Sequence, residues 1–272
     1  MTATHPLKVR KLGFEFPDDI PFWFNPQNRE ASLVANGLSM LAPAFERYFI
    51  KAIRDAMPRI RSAAVREEAD LFCRQEGQHS KTHIDHQEML LRRYPVLEAV
   101  RDRVNRSYAD LYETESTDFA LAYATTIELA FKPMAKFLVG NRHILFADGD
   151  PRIAALVLWH FVEEFEHRSS MFNVYQDVVG DYVYRLRTIG RTRRHVAMLA
   201  ADSRKSMEAC EPLPTENKSA TKIPRLERLK LTLGLFETFS PLHNPNAGEI
   251  PRWIQDWMVA HDAGQDMTRV TL

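Results

Sequence analysis

The stretch Leu156-Val157-Leu158-Trp159-His160-Phe161-Val162-Glu163-Glu164-Phe165-Glu166-His167 decides how this chain is read. Its seam at 3/4 spacing runs Ile153, Leu156, His160, Glu164, His167, Met171 and Val174, a single helix face. Three ionisable side chains therefore stand inside an apolar stripe, with apolar neighbours on both sides. A carboxylate buried in such a stripe, charged and unpaired, is strongly destabilising. A bundle without a functional centre would place leucine or alanine there.

The other long periodic segments repeat the anomaly. One seam reads Val65, Ala69, Phe72, Glu76, His79, His83, His86 and Leu90; another reads Leu38, Ala42, Glu46, Phe49 and Ile53. A third reads Leu121, Ala124 or Thr125, Glu128, Phe131 or Lys132, and Ala135. Each helix carries one carboxylate in its own seam, and gathered together these would raise one another's pKa. Two divalent cations balance the charge of four glutamates, and neutral imidazoles complete the coordination. The spacing agrees, because Glu76-Gly77-Gln78-His79 and Glu164-Phe165-Glu166-His167 are both Glu-x-x-His, whose ends share a helix face.

The order Glu46, Glu76-x-x-His79, Glu128, Glu164-x-x-His167 resembles the ferritin-like di-iron carboxylate bundle over residues 30–180. The resemblance implies that these six residues are metal ligands. His160, one turn before Glu164, adds a third imidazole, and in that respect the chain resembles the di-iron arylamine N-oxygenases. The segment Trp159–His167 and the arm around Asn25-Pro26 are also similar to a bacterial family described as predicted metal-dependent hydrolases. The residue before the first Glu-x-x-His glutamate, often acidic in these bundles, is Gln75. Its counterpart in the second motif is Glu163, a candidate to orient a ligand imidazole or carry protons. His83 is a second such candidate. His86 reads as pocket lining or a satisfied core histidine, and Cys73 as a small apolar filler. Tyr123 and Thr125, close to Glu128, read as ordinary packing.

The rest of the chain sets the frame. Ten glycines in 272 residues lie mostly at breaks between long periodic stretches, which favours an all-α fold. The expected organisation is an irregular arm over 1–29, a ferritin-like four-helix bundle over 30–180, and helices packed on it over 181–272. The arm carries Pro6, Pro17, Pro21, Pro26 and the aromatic cluster Phe22, Trp23 and Phe24. Helices are expected near 32–57, 60–93, 96–113, 116–140, 150–179, 182–210 and 251–262. The first and fourth of these contain Pro43 and Pro133, and a polar loop with Pro212, Pro214 and Pro224 precedes the last. The basic run Arg185, Arg187, Arg191, Arg193, Arg194 and His195 reads as a solvated face.

Thirty-six Lys+Arg balance thirty-six Asp+Glu, so no net basic field draws the chain to nucleic acid. No window approaches the ~18–20 apolar residues of a membrane span. Two cysteines, Cys73 and Cys210, make no disulfide framework and fit a reducing, cytoplasmic setting. Carboxylate and imidazole donors without thiolate suit two iron ions, with manganese or a mixed Mn/Fe pair as alternatives. The expected activity is a non-haem di-iron oxidoreductase that uses O2 to oxidise a small organic substrate, N-oxygenation being the reaction implied by the resemblance. It needs an external electron donor, and a homodimer is the protein assembly considered. The alternatives are metal-assisted hydrolysis through the same ligands and iron binding with ferroxidase activity.

Overall fold

The structure, a computed structural model, describes residues 7–211 and 222–269; Pro6, Pro212 and Pro214 lie outside them. Ten α-helices and no strands occur among the described residues. They are α1 (Arg29–Ala56), α2 (Ala63–Arg93), α3 (Glu98–Thr114), α4 (Thr117–Gly140), α5 (Arg142–Leu145), α6 (Pro151–Glu166), α7 (Ser170–Val178), α8 (Tyr182–Glu208), α9 (Arg225–Glu237) and α10 (Arg252–Asp262). The fold is an all-α, ferritin-like bundle built from α1, α2, α4 and the α6–α7 pair. No helix among the described residues is long and apolar enough to cross a membrane.

Local chemistry accounts for where these helices begin. The side chains of Asn28, Ser62, Ser116 and Asp150 accept from the amides of Ala31, Val65, Phe119 and Arg152, satisfying donors that the first helical turn cannot pair internally. Pro151 occupies the first position of α6, where its missing N–H costs nothing. α1 runs through Pro43, which leaves the carbonyl of Ser39 without its helical donor. The side chain of Gln87, from α2, donates to that carbonyl at 3.1 Å instead.

Three expectations need correction. The helix expected over 150–179 is two helices, broken at 167–169. Ser169 and Ser170 compete poorly for a helix interior, and Glu68 of α2 captures the start of α7 by accepting from Ser170 Oγ (2.6 Å) and Asn173 Nδ2 (3.1 Å). The stretch after Pro224 contains α9, whose Leu226, Leu229, Leu233 and Phe236 are exposed and so form no core-facing seam. Arg185 does not belong to a solvated face: it is 2% exposed, donates to the carbonyl of Thr238 and lies beside the Phe172 and Tyr182 rings. His195 is likewise drawn inward, its ring held between Ser107 and Tyr123.

Phe22, Trp23 and Phe24 of the arm are buried, and Asn25 Nδ2 donates to the carbonyl of Leu145 at 2.7 Å. Cys73 is buried and its thiol is pushed up to about 12 by that burial.

Candidate metal centre

The four seam carboxylates meet at the centre of the bundle. Glu46 comes from α1, Glu76, His79 and His83 from α2, Glu128 from α4, and His160 and Glu164 from α6; His167 is the residue that ends α6. None of the eight is more than 1% exposed. Two groups have donor atoms close enough to share an ion: Glu76, His79, Glu164 and His167, and separately Glu46, His83 and His160. The first joins both Glu-x-x-His pairs.

The second group places His83, expected only to orient or shuttle, beside Glu46 and His160. Glu128 stands outside both groups, with Oε2 3.2 Å from His167 Nδ1. His160 lies between the groups, its Nε2 3.1 Å from Glu164 Oε1 and its Nδ1 3.1 Å from His83 Nε2.

These residues fit a pair of divalent ions. All eight carboxylate oxygens of Glu46, Glu76, Glu128 and Glu164 are buried without a hydrogen-bond partner among the described residues. The same holds for His79 Nδ1, His160 Nε2 and both ring nitrogens of His167. Close approaches exist, but His167 Nε2 to Glu76 Oε1 at 3.1 Å lacks hydrogen-bond alignment and His79 Nδ1 to Glu164 Oε1 at 3.7 Å is beyond hydrogen-bond reach. So many unpaired lone pairs in an apolar bundle are a strongly unfavourable arrangement unless cations accept them.

A surrounding layer orients the donors. His79 donates from Nε2 to Glu163 Oε2 at 3.0 Å, which leaves its Nδ1 as the nitrogen facing Glu76 and Glu164. Arg10, from the arm, reaches Glu163 Oε1 (3.0 Å) and forms a two-pronged pair with Glu166 (2.6 and 2.7 Å). Its guanidinium also lies 5.6 Å from the Trp257 ring of α10. Gln75, where an acid is common, donates to Glu166 and to the carbonyl of Lys8, so it fastens the arm.

Opposite, Ser39 Oγ sits between His83 Nδ1 (2.8 Å) and His86 Nδ1 (2.7 Å). One hydroxyl proton serves one ring, so the other ring must donate to Ser39. Sequence reasoning passed over Arg10 and Ser39, whose significance lies wholly in contacts made across the fold.

The electrostatics without metal describe the same crowding. Burial, and then the neighbouring Glu76, push Glu46 well above the usual carboxylate range; burial and Glu128 do the same to Glu164. Glu128 is pushed up to about 7 by burial, His167 opposing. For Glu76 the upward push of burial is outweighed by His167 and His79, which hold it at about 2. Burial alone would discharge His79 and His167, but Glu163 and Glu76 raise the first, and Glu164 and Glu128 the second. His83 and His160 are driven well below the usual imidazole value by burial and by His79.

Beside the centre, between α1, α4 and α8, lies a cavity of about 490 Å³. Phe45, Phe131 and Phe161 line it, and the last two rings lie 6.1 and 5.4 Å from that of His160.

The family model described as "Predicted metal-dependent hydrolase" matches residues 8–248. The chain belongs to this family. No curated protein and no solved structure matches it.

Proposed function

We propose that this member of the predicted metal-dependent hydrolase family is a non-haem di-iron oxidoreductase that uses O2 to oxidise a small organic substrate. The observation that carries the reading is the donor set itself. Four carboxylates and four imidazoles, without a thiolate, are enclosed on all sides and adjoin an apolar cavity. Such hard and intermediate donors suit iron or manganese, and a closed structural zinc site would need only four of them.

Glu76, His79, Glu164 and His167 would hold one ion, and Glu46, His83 and His160 the other, with Glu128 available to the first through its place beside His167. Two iron ions would supply the reducing electrons and open coordination positions that O2 chemistry requires. The chain's own contribution is orientation and exclusion of water. Glu163 takes the Nε2 proton of His79 as a hydrogen bond, and Ser39 holds Nδ1 of His83, so each ring presents its remaining nitrogen to the centre. Phe131 and Phe161 cover His160 with aromatic carbon, which keeps bulk water from that side.

Anaerobic loading with Fe(II) followed by exposure to air tests the proposal. The expected result is O2 consumption in proportion to bound iron, together with a new visible absorption band. The family description favours a second reading, metal-assisted hydrolysis, in which the same side chains hold ions that activate water. An iron-loaded protein inert to O2, combined with ester hydrolysis by the zinc-loaded protein, would overturn the oxidoreductase reading in favour of the hydrolase. A shell-sized assembly in light scattering, with iron retained as mineral, would instead indicate storage.

A further inference from the structure

We propose that the cavity between α1, α4 and α8 is the substrate pocket of this centre, and that it takes an anionic amphiphile: an aliphatic chain inside, a negatively charged head at the mouth. As a substrate assignment this rests on the oxidoreductase reading; as a binding site it stands on the cavity alone. At about 490 Å³ the volume falls within the ~300–1,000 Å³ of small-molecule sites.

The walls select an apolar body. They are formed by side chains such as Leu33, Leu41, Ile127, Met134 and Val196. The two wall hydroxyls are already engaged within their own helices. Thr126 Oγ1 donates to the carbonyl of Ala122 (2.8 Å) and Thr192 Oγ1 to that of Thr188 (3.1 Å). A polar group in the middle of a ligand would therefore lose its water and find no partner, which is costly.

The mouth selects the charge. No acidic side chain lines the cavity among the described residues, while two arginines do. Arg204 is held by Glu30 (2.7 and 2.8 Å) and Glu208 (3.0 Å). Arg193 is exposed and makes no ion pair or hydrogen bond among the described residues, so its guanidinium is available to an incoming anion.

The closed end sets the direction. Phe45, Phe131 and Phe161 form a layer, with centroid separations of 6.1 and 5.9 Å, and this layer abuts His160. Arg193 stands on the exposed face of α8 near the level of Phe45, since the neighbouring His195 bonds Tyr123, whose ring packs on Tyr48. A chain with its head held at Arg193 points its far carbon atoms inward, at the phenylalanine layer and the metal centre behind it.

Calorimetric titration of the full-length, metal-containing protein with dodecanoate, dodecan-1-ol and dodecylammonium, each as monomer, tests this. Dodecanoate should bind most tightly. Arg193→Glu should weaken dodecanoate about fivefold or more and leave dodecan-1-ol unchanged. Ala130→Phe, which places a ring in the cavity from α4, should weaken both by about tenfold or more. Metal content and melting temperature show whether each variant is folded, and Leu38→Trp fills the same space from α1 if Ala130→Phe does not fold.

Failure of dodecanoate to bind, tighter binding of dodecylammonium, or indifference to both filling and charge reversal would overturn the proposal. Intact dodecanoate binding by an iron-loaded protein inert to O2 would sink the oxidoreductase reading and leave the pocket. Vigorous O2 consumption without dodecanoate binding would sink the pocket alone.

Discussion

Arg10 is the residue whose removal most directly tests how the centre is held. Its side chain is 2% exposed and bridges Glu163, fully buried, and Glu166, 7% exposed. Arg10→Met keeps much of the volume and the contact with Trp257 but leaves two carboxylates facing each other without their cation. Breaking a buried pair by removing one partner costs about 3–5 kcal/mol, because the stranded charge keeps its desolvation penalty. Urea unfolding of the metal-free protein should register that loss as a lower midpoint at unchanged slope.

A second consequence separates orientation from bulk stability. Glu163 without Arg10 is free to turn, His79 loses the acceptor that fixes its Nε2, and metal affinity should fall about 10–100-fold. Adding Glu163→Gln to Arg10→Met removes one stranded charge and should recover part of the stability, with a coupling on the order of 0.5–3 kcal/mol. If Arg10→Met costs less than about 1 kcal/mol and binds metal as the parent does, the clamp is not what positions His79 and the reasoning fails.

Other consequences are equally open to measurement. Glu76→Ala and His167→Ala should each reduce bound metal to one ion or fewer per chain, and His83→Ala should remove the ion placed by Glu46 and His160. His86→Ala should keep both ions; identical metal content in all four variants would refute the ligand assignment. Metal-free protein should lose stability as pH rises from about 6.5 to 8. Glu46, Glu164, His79 and His167 are raised, so in that window the fold holds more protons on them than the unfolded chain does, and Glu128 adds to this until it ionises at about 7. The low values of His83 and His160 oppose this near pH 6.5, where an unfolded imidazole is about half protonated, and cease to matter as the pH approaches 8. The slope is about 1.4 kcal/mol per pH unit for each retained proton. Metal displaces those protons and should flatten the dependence, so a urea midpoint that rises with pH in the metal-free protein contradicts the burial argument. Gly234→Ala should destabilise by about 1–3 kcal/mol in urea unfolding, because an added Cβ would lie 2.9 Å from Pro133 Cβ, a ring that cannot turn aside. The ~1 kcal/mol gained in helix propensity offsets only part of that.

What could be read from the chain alone follows a physical line. Each bundle helix places its own carboxylate in its own apolar period, so Glu46, Glu76, Glu128 and Glu164 could be found one helix at a time, and the two Glu-x-x-His pairs linked them. Helix ends marked by Ser116, Asp150 and Pro151 were legible for the same reason, since a cap acts over three residues. Arg10 carried no such mark. It stands in a basic run, Lys8-Val9-Arg10-Lys11, and its partners lie 153 and 156 positions away.

His83 shows where periodicity stops being informative. His79, His83 and His86 continue one stripe, and spacing alone ranks them by distance from Glu76. The ranking is altered by Ser39, 44 and 47 residues earlier on α1, which engages Nδ1 of both His83 and His86. Nε2 of His83 is thereby turned toward His160, and His86 is left as the outer partner of the same hydroxyl. The break between α6 and α7 has the same origin. Met171 and Val174 keep the helical period across it, and only Glu68, 102 and 105 residues away, shows that the backbone does not. A pattern within one helix reports which side chains must be buried together. Which nitrogen or oxygen each presents is set by partners from other helices, and that is why His83 and Arg10 are the positions where mutation discriminates best between a metal centre and a merely packed one.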